Sequence, residues 1–426
     1  MKIINYPKLD EKVIYEKLDN GLEIYLIPKK DYEVTTAVFT TKFGSVNHGY
    51  EVDDEIDNVL PGAAHFLEHR LFDYRGKDML QELTKYGASV NAYTALNRTS
   101  YYFTTSKNLK KNLNLLLDFV QEFDVSLDSI EREKKIIIQE LLMNYDEPSN
   151  ILYREIKKSL YQNHPYKGDI IGDIESINKT TFSHFKACHN KFYHPSNMFL
   201  VIAGKMDYNL VLNYIKENQS KKSFTPTEGI KRLDFKEPKE VVREYYEVEN
   251  KRTYNLVSVV VKMEPLDEYI GNERSKIEKI LEIQLEMLFG SASEFNKRMI
   301  EEKVYNSHGG YAYSNFDQMS YVEIKNNNVY DIDKFINEVK KILLNPREYI
   351  NDEEFFEDLK RGMLSSFISE FNSISNLALE VSTLIADNNN FFDQMEDIKS
   401  ITYQDVIKYL DLITKGKIAV CVVKGK

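Results

Sequence analysis

Residues 126–150 read SLDSIEREKKIIIQELLMNYDEPSN, and residues 351–376 read NDEEFFEDLKRGMLSSFISEFNSISN. A shift of 226 residues superposes their acidic starts, basic middles and Ser-Asn ends. The last apolar strands correspond as well, NMFLVIAGK at 197–205 against KIAVCVVKGK at 417–426. A repeat about half a chain long points to two similar domains rather than a solenoid of short units. Between the copies, KENQSKKSFTPTEGIKRLDFKEPKE (216–240) is polar and carries Pro, Gly and Ser, the composition of a linker. The expected division is therefore 1–215, a linker at 216–240, and 241–426. Residues 126–150 read as one long helix with Ser126 or Asp128 as its cap.

Working outward, the first half contains strand patterns at GLEIYLIPKK, TTAVFTTKFGS, VNAYTAL, TSYYFTTS and NMFLVIAG. Helical patterns fall at DMLQELTKYG and LKKNLNLLLDFVQEF. An acidic run from Glu51 to Asp57 lacks the spacing of a calcium loop and reads as a solvated loop.

Composition narrows the function. With 426 residues the chain can bury more than one core. A net charge of −11 with no basic stripe argues against nucleic acid as a partner. No apolar run is long enough to span a bilayer, and MKIINYPKLDEK does not resemble a signal peptide. Cys188 and Cys421 are too few for a disulfide framework, so a cytoplasmic, reducing location is expected. They are also too few for a cysteine-based zinc cluster, which leaves His and carboxylates as ligands.

The two copies differ where it matters. Glu140 in the first falls on Ser366 in the second, and only the first half contains HFLEH, residues 65–69. On a helix His65 and His69 share one face, so both imidazoles can aim at one ion. Glu68 borders that face, where it could take a proton from a metal-activated water. HEXXH zinc peptidases use the same parts with the glutamate after the first histidine; here the order is inverted. A catalytic zinc takes three protein ligands. Glu140, an acid directly after the apolar run Ile136-Ile137-Ile138 and Gln139, is the leading candidate for the third. Glu133, two turns earlier on the same face, can steady the site from behind. The five residues alone leave a polar helix turn equally open, and only the joint occurrence carries weight. The lone histidines His164, His184, His189, His194 and His308 read as surface or core residues.

HFLEH, followed some seventy residues later by the EREKKIIIQE helix, resembles the pitrilysin-type inverted-motif zinc peptidases. The similarity is greatest to the branch containing mitochondrial processing peptidase and its bacterial relatives. GAAHFLEHRLF, YGASVNAYTALNRTSYYF, HPYKGDIIGDIESI and KFYHPSNMFLVIAG extend the resemblance over most of residues 20–210. It implies an α+β fold of two similar α/β domains, each a mostly antiparallel sheet packed with helices. It implies one Zn2+ per chain on His65, His69 and Glu140, with Glu68 as general base. Substrate peptides would add to a sheet edge at the matching stretch Ala88, Ser89, Val90, Asn91, Ala92 and Tyr93.

One departure has a consequence for partners. Active assemblies of the family carry an Arg and a Tyr seven residues apart in a second-half stretch resembling R-E-E-x-G-L-x-Y. Here FNKRMIEEKVYNSHGGYAYS offers Arg298 and Tyr305 at that separation, but aligning Glu301 and Glu302 with the family's acidic pair puts Ile300 at the arginine position. The spacing then reads as coincidence. A related zinc-less subunit is expected to supply the pair, in preference to a homodimer. The activity expected is a zinc metalloendopeptidase acting on peptides or unfolded segments, with maturation of bacteriocin- or leader-type peptides as one sub-case. The alternative is a non-catalytic structural subunit of a processing-peptidase-like complex.

Overall fold

The computed structural model describes the chain apart from residues 53, 54, 144, 226–228, 232, 252, 253, 308 and 426. His308, two residues of the acidic run and part of the 216–240 stretch therefore lie outside the described residues.

The first sheet has seven strands, β1 (Lys2–Tyr6), β2 (Glu11–Lys17), β3 (Glu23–Pro28), β4 (Thr35–Thr41), β5 (Ala88–Thr94), β6 (Thr99–Thr105) and β7 (Met198–Gly204). Their spatial order is β1-β2-β3-β7-β4-β6-β5. The second sheet has five, β8 (Tyr245–Asn250), β9 (Leu256–Met263), β10 (Gly310–Phe316), β11 (Met319–Asn326) and β12 (Lys417–Gly425), in the order β8-β12-β9-β11-β10. Without β1 and β2 the two sheets have the same topology. The last strand inserts between the first two, parallel to one and antiparallel to the other, and all remaining pairs are antiparallel. Two α/β copies with mostly antiparallel sheets are what the sequence leads one to expect.

Helices make both faces of each sheet core. In β4, Ala37 and Phe39 face a cluster containing Phe66, Leu67 and Leu71 of helix α1 (Ala63–Leu71) and Ile130 and Ile137 of helix α2 (Leu127–Met143). The alternate residues Thr36, Val38 and Thr40 are buried too, so all seven positions of TTAVFTT are inaccessible. A strand covered on both faces has no polar alternation to keep, but its hydroxyls need partners. Thr40 Oγ1 finds them in Ser100 and in Ser382, 2.9 and 2.8 Å away.

The compact units interleave along the chain, unlike a cut at 216–240. One comprises residues 1–141, 169–233 and 369–391, the other 142–168, 234–368 and 392–426. Helix α3 (Pro148–Leu160), encoded in the first half, packs on β9 and β12. The helix 226 residues later, Ile374–Ala386, packs on β4 and β7. Within the expected linker, Glu237 is integral to the second unit: its carboxylate accepts from the backbone N–H groups of Gln162, Asn163 and His164 and pairs with buried Lys262.

Two expectations need correction. Residues 126–150 are not one helix but α2 and α3, because Pro148 stands at the first turn of α3 and Glu147 before it is extended, at ψ 126°. The acidic run is not simply a loop; Gly49–Val52 and Glu55–Asn58 pair as an antiparallel hairpin. Of the two cap candidates Ser126 serves α2, accepting the N–H of Ser129 at 3.2 Å.

Candidate metal centre

The motif helix starts where the backbone must turn sharply. Gly62 has φ +82°, and a Cβ there would lie 2.1 Å from the carbonyl oxygen of Ile171. Only glycine admits both the left-handed turn and this approach, which fixes where α1 begins and hence which way His65 and His69 face. Phe66, Leu67, Arg70 and Leu71 are buried, leaving His65, Glu68 and His69 on the half-buried side.

Helix α2 brings Glu140 to the two histidines. One Glu140 oxygen lies 3.9 Å from His65 Nε2 and the other 3.9 Å from His69 Nε2. Ligand atoms from all three residues lie within 4.8 Å of one another, and no other such group of His, Cys, Asp or Glu exists among the described residues. Ligands about 2.0–2.1 Å from a tetrahedral zinc sit roughly 3.3 Å apart, so a small inward movement closes the set. The side-chain exposures are 12% for His65, 29% for His69 and 38% for Glu140, which leaves the carboxylate side the most open to solvent.

Supporting groups point the same way. His69 Nδ1 lies 3.0 Å from Glu133 Oε1 and donates to it, which leaves the Nε2 lone pair toward Glu140. The other Glu133 oxygen accepts from Arg70 Nη1 at 2.6 Å, and Arg70 Nη2 donates to Asp73 at 2.7 Å. Burial pushes the Glu133 carboxyl up, but the hydrogen bonds from His69 and Arg70 outweigh it and hold the group below the usual carboxylate range. The hydrogen bond to Glu133 raises His69, against burial. His65 goes the other way, pushed down to about 4 by burial and by neighbouring His69. A neutral His65 is the form that binds a cation. Its Nδ1 is buried and meets no hydrogen-bond partner among the described residues. The donor set and the orientation of His69 fit zinc.

Glu68 is held apart from the ligands. Thr94 Oγ1 donates to its Oε2 at 2.7 Å, and burial raises its carboxyl above the ordinary range. Thr94 ends β5, the outermost strand of the first sheet, and among the described residues nothing pairs with the far edge of Ala88–Thr94. Along that edge Ser89 and Asn91 are exposed, while Val90, Ala92 and Tyr93 are half-buried.

The remaining candidates resolve into structure. His189 donates to the Val120 carbonyl at 2.9 Å, and His164 pairs with the Asp317 carbonyl at 2.8 Å. His184 and His194 serve helix starts. Arg298 is paired with Glu338, and Tyr305 is buried with its hydroxyl donating to Asn296 at 2.6 Å. Sequence reasoning missed Arg70 and Thr94. The first was visible as an arginine inside an otherwise apolar helix end; the second had no signal beyond its place at a strand terminus.

A His-x-x-Glu-His helix, a distant glutamate and this doubled fold define an inverted-motif zinc protease scaffold. Residues 53–174 match the insulinase family, peptidase family M16, and residues 179–363 match the peptidase M16 inactive domain. The uncharacterized zinc protease YmfH of Bacillus subtilis is 33% identical over 430 residues, covering 100% of both chains. An M16-like peptidase from Alicyclobacillus acidocaldarius superposes with a TM-score of 0.91 at 28% identity, over 98% of this chain and 99% of that one. Cytochrome b-c1 complex subunit 1 of Bos taurus is 27% identical over 209 residues, 48% of this chain and 42% of its own. The chain belongs to peptidase family M16, and the cluster of His65, His69 and Glu140 is consistent with a single zinc site among the described residues. No described helix is long and apolar enough to cross a membrane.

Proposed function

We propose that the chain is a zinc metalloendopeptidase that hydrolyses peptides or unfolded segments. The observation that carries this reading is the 2.7 Å hydrogen bond from Thr94 to Glu68, which ties the candidate base to the end of an open sheet edge. A peptide paired along residues 88–93 runs its backbone past that carboxylate, with main-chain bonds giving affinity and side-chain pockets giving preference.

When bound, zinc supplies Lewis acidity that polarises a carbonyl and favours ionisation of water. Glu68 accepts a proton from the attacking water as its oxygen bonds to the peptide carbonyl carbon. The same carboxyl returns the proton to the amide nitrogen as the C–N bond breaks, leaving a carboxylate and an amine. Burial raises this carboxyl above the ordinary range, the direction that favours accepting the proton.

With Arg298 and Tyr305 engaged within their own unit, the proposed active assembly is a heterodimer in which a related zinc-less subunit brings the Arg/Tyr pair. Maturation of a small secreted or leader peptide is the proposed biological use. The buried thiols of Cys188 and Cys421 suit a cytoplasmic setting.

The test is metal content and cleavage of a quenched-peptide library by the purified chain, with Glu68→Gln as control. About one zinc in both, with cleavage only by the wild type, supports a self-sufficient enzyme. Zinc without cleavage directs the search to a partner. Absence of zinc favours the non-catalytic subunit, the reading that the likeness to the bovine complex subunit suggests.

A further inference from the structure

Arg70 stands between the zinc ligands and the core, one residue after His69. It is buried, with 8% of its surface accessible. Its guanidinium uses two arms, Nη1 to Glu133 Oε2 at 2.6 Å and Nη2 to Asp73 Oδ2 at 2.7 Å. Its Nε is buried and meets no hydrogen-bond partner among the described residues. Burying an arginine with one donor unsatisfied is costly, and packing alone would favour an apolar side chain there. Its helix neighbours Phe66, Leu67 and Leu71 are buried apolar residues, so only the carboxylates of Glu133 and Asp73 call for a cation there.

We propose that Arg70 is a positioning residue for the zinc site, acting through Glu133. A carboxylate with one oxygen free can rotate about its own axis. With Oε2 clamped by Arg70, Oε1 is fixed 3.0 Å from His69 Nδ1. A carboxylate that already accepts from arginine must also accept from His69, which fixes the N–H on Nδ1 and presents Nε2 to the metal. Asp73 in turn holds the far arm of the fork, so the line Asp73–Arg70–Glu133–His69 runs unbroken from the end of α1 to a ligand. Only the planar, permanently charged guanidinium spans both carboxylates; lysine offers a single point of contact.

The inference rests on the zinc site and not on peptidase activity, so it is read by metal binding to the full chain. Zinc affinity is measured by chelator competition, and ligand geometry by the visible spectrum of the Co2+-loaded protein. Arg70→Met is expected to bind zinc about 10-fold more weakly, within the range for loss of an outer partner, with an altered Co2+ spectrum. Arg70→Lys is expected to fall between wild type and Arg70→Met. In a Glu133→Gln background, Arg70→Met is expected to cost little more, because the path through Glu133 is already broken. Wild-type zinc affinity and spectrum in Arg70→Met overturn the proposal, as does an equal loss in both backgrounds. If Arg70→Met does not fold, Arg70→Lys decides: a several-fold loss with a shifted spectrum supports the proposal, and no change in either overturns it. A wild type that binds no zinc refutes the metal site itself.

Discussion

The two sheet units are the same construction used for different ends. Leaving aside β1 and β2, each inserts its last strand between its first two, and each half carries a capped helix at a 226-residue offset: α2 capped by Ser126, and Glu353–Glu370 with Asp352 accepting the Phe355 N–H at 2.8 Å. Yet α2 turns Glu140 toward two imidazoles, whereas the corresponding Ser366 is exposed on a helix that meets no such pair among the described residues. The lesson is that this architecture is indifferent to chemistry, which a few side chains at two helix faces impose on one copy.

The comparison breaks most completely if the first copy is made to resemble the second. Glu140→Ser is expected to abolish stoichiometric zinc binding, read by metal analysis, and peptide cleavage with it. Glu68→Gln separates metal from base: about one zinc is retained while kcat falls by about 10²–10⁴-fold, the usual contribution of a general base.

A smaller effect reads the first unit through pH. Burial pushes His189 down to about 4 from its ordinary 6.5. The unfolded chain therefore binds the proton first, and stability contributed by neutral His189 is full above about 6.5 and lost as pH falls to about 4. The loss is about 3 kcal/mol, and a denaturation series on His189→Gln is expected to be flatter across that window. Smallest are the caps. Ser126→Ala and Asp352→Ala are each expected to cost about 1 kcal/mol, measured as matching shifts in denaturation midpoint without change in zinc content.

Which of these features could be read from sequence follows the range of the interaction. The histidine pair, Glu68 and the capped helix starts are local, set by helical spacing within a few residues. Glu140 and Glu133 were accessible because an acid after three isoleucines contradicts its own surroundings, and because seven residues make two turns. The break at Pro148 was also local, but the apolar spacing on both sides outweighed it in the reading. Strand insertion was not legible, because TTAVFTT pairs with both Thr99–Thr105 and Met198–Gly204 and nothing in its own residues names either. Nor was the grip of Arg70 on Glu133, which joins two helices 63 residues apart. The linker composition at 216–240 was read correctly as polar, but polarity does not reveal that Glu237 caps three backbone groups.

The exchange of helices between the halves sets the order of biosynthesis. Helix Ile374–Ala386 packs on β4 and β7 of the first sheet, and its Ser382 bonds Thr40. Those residues leave the ribosome only after the second unit's first four strands have been made. A nascent first half therefore waits with a β-sheet face exposed, and neither half of the gene encodes a complete unit. Reciprocal helix donation ties the halves together: a truncation at 216–240 takes one helix from each unit.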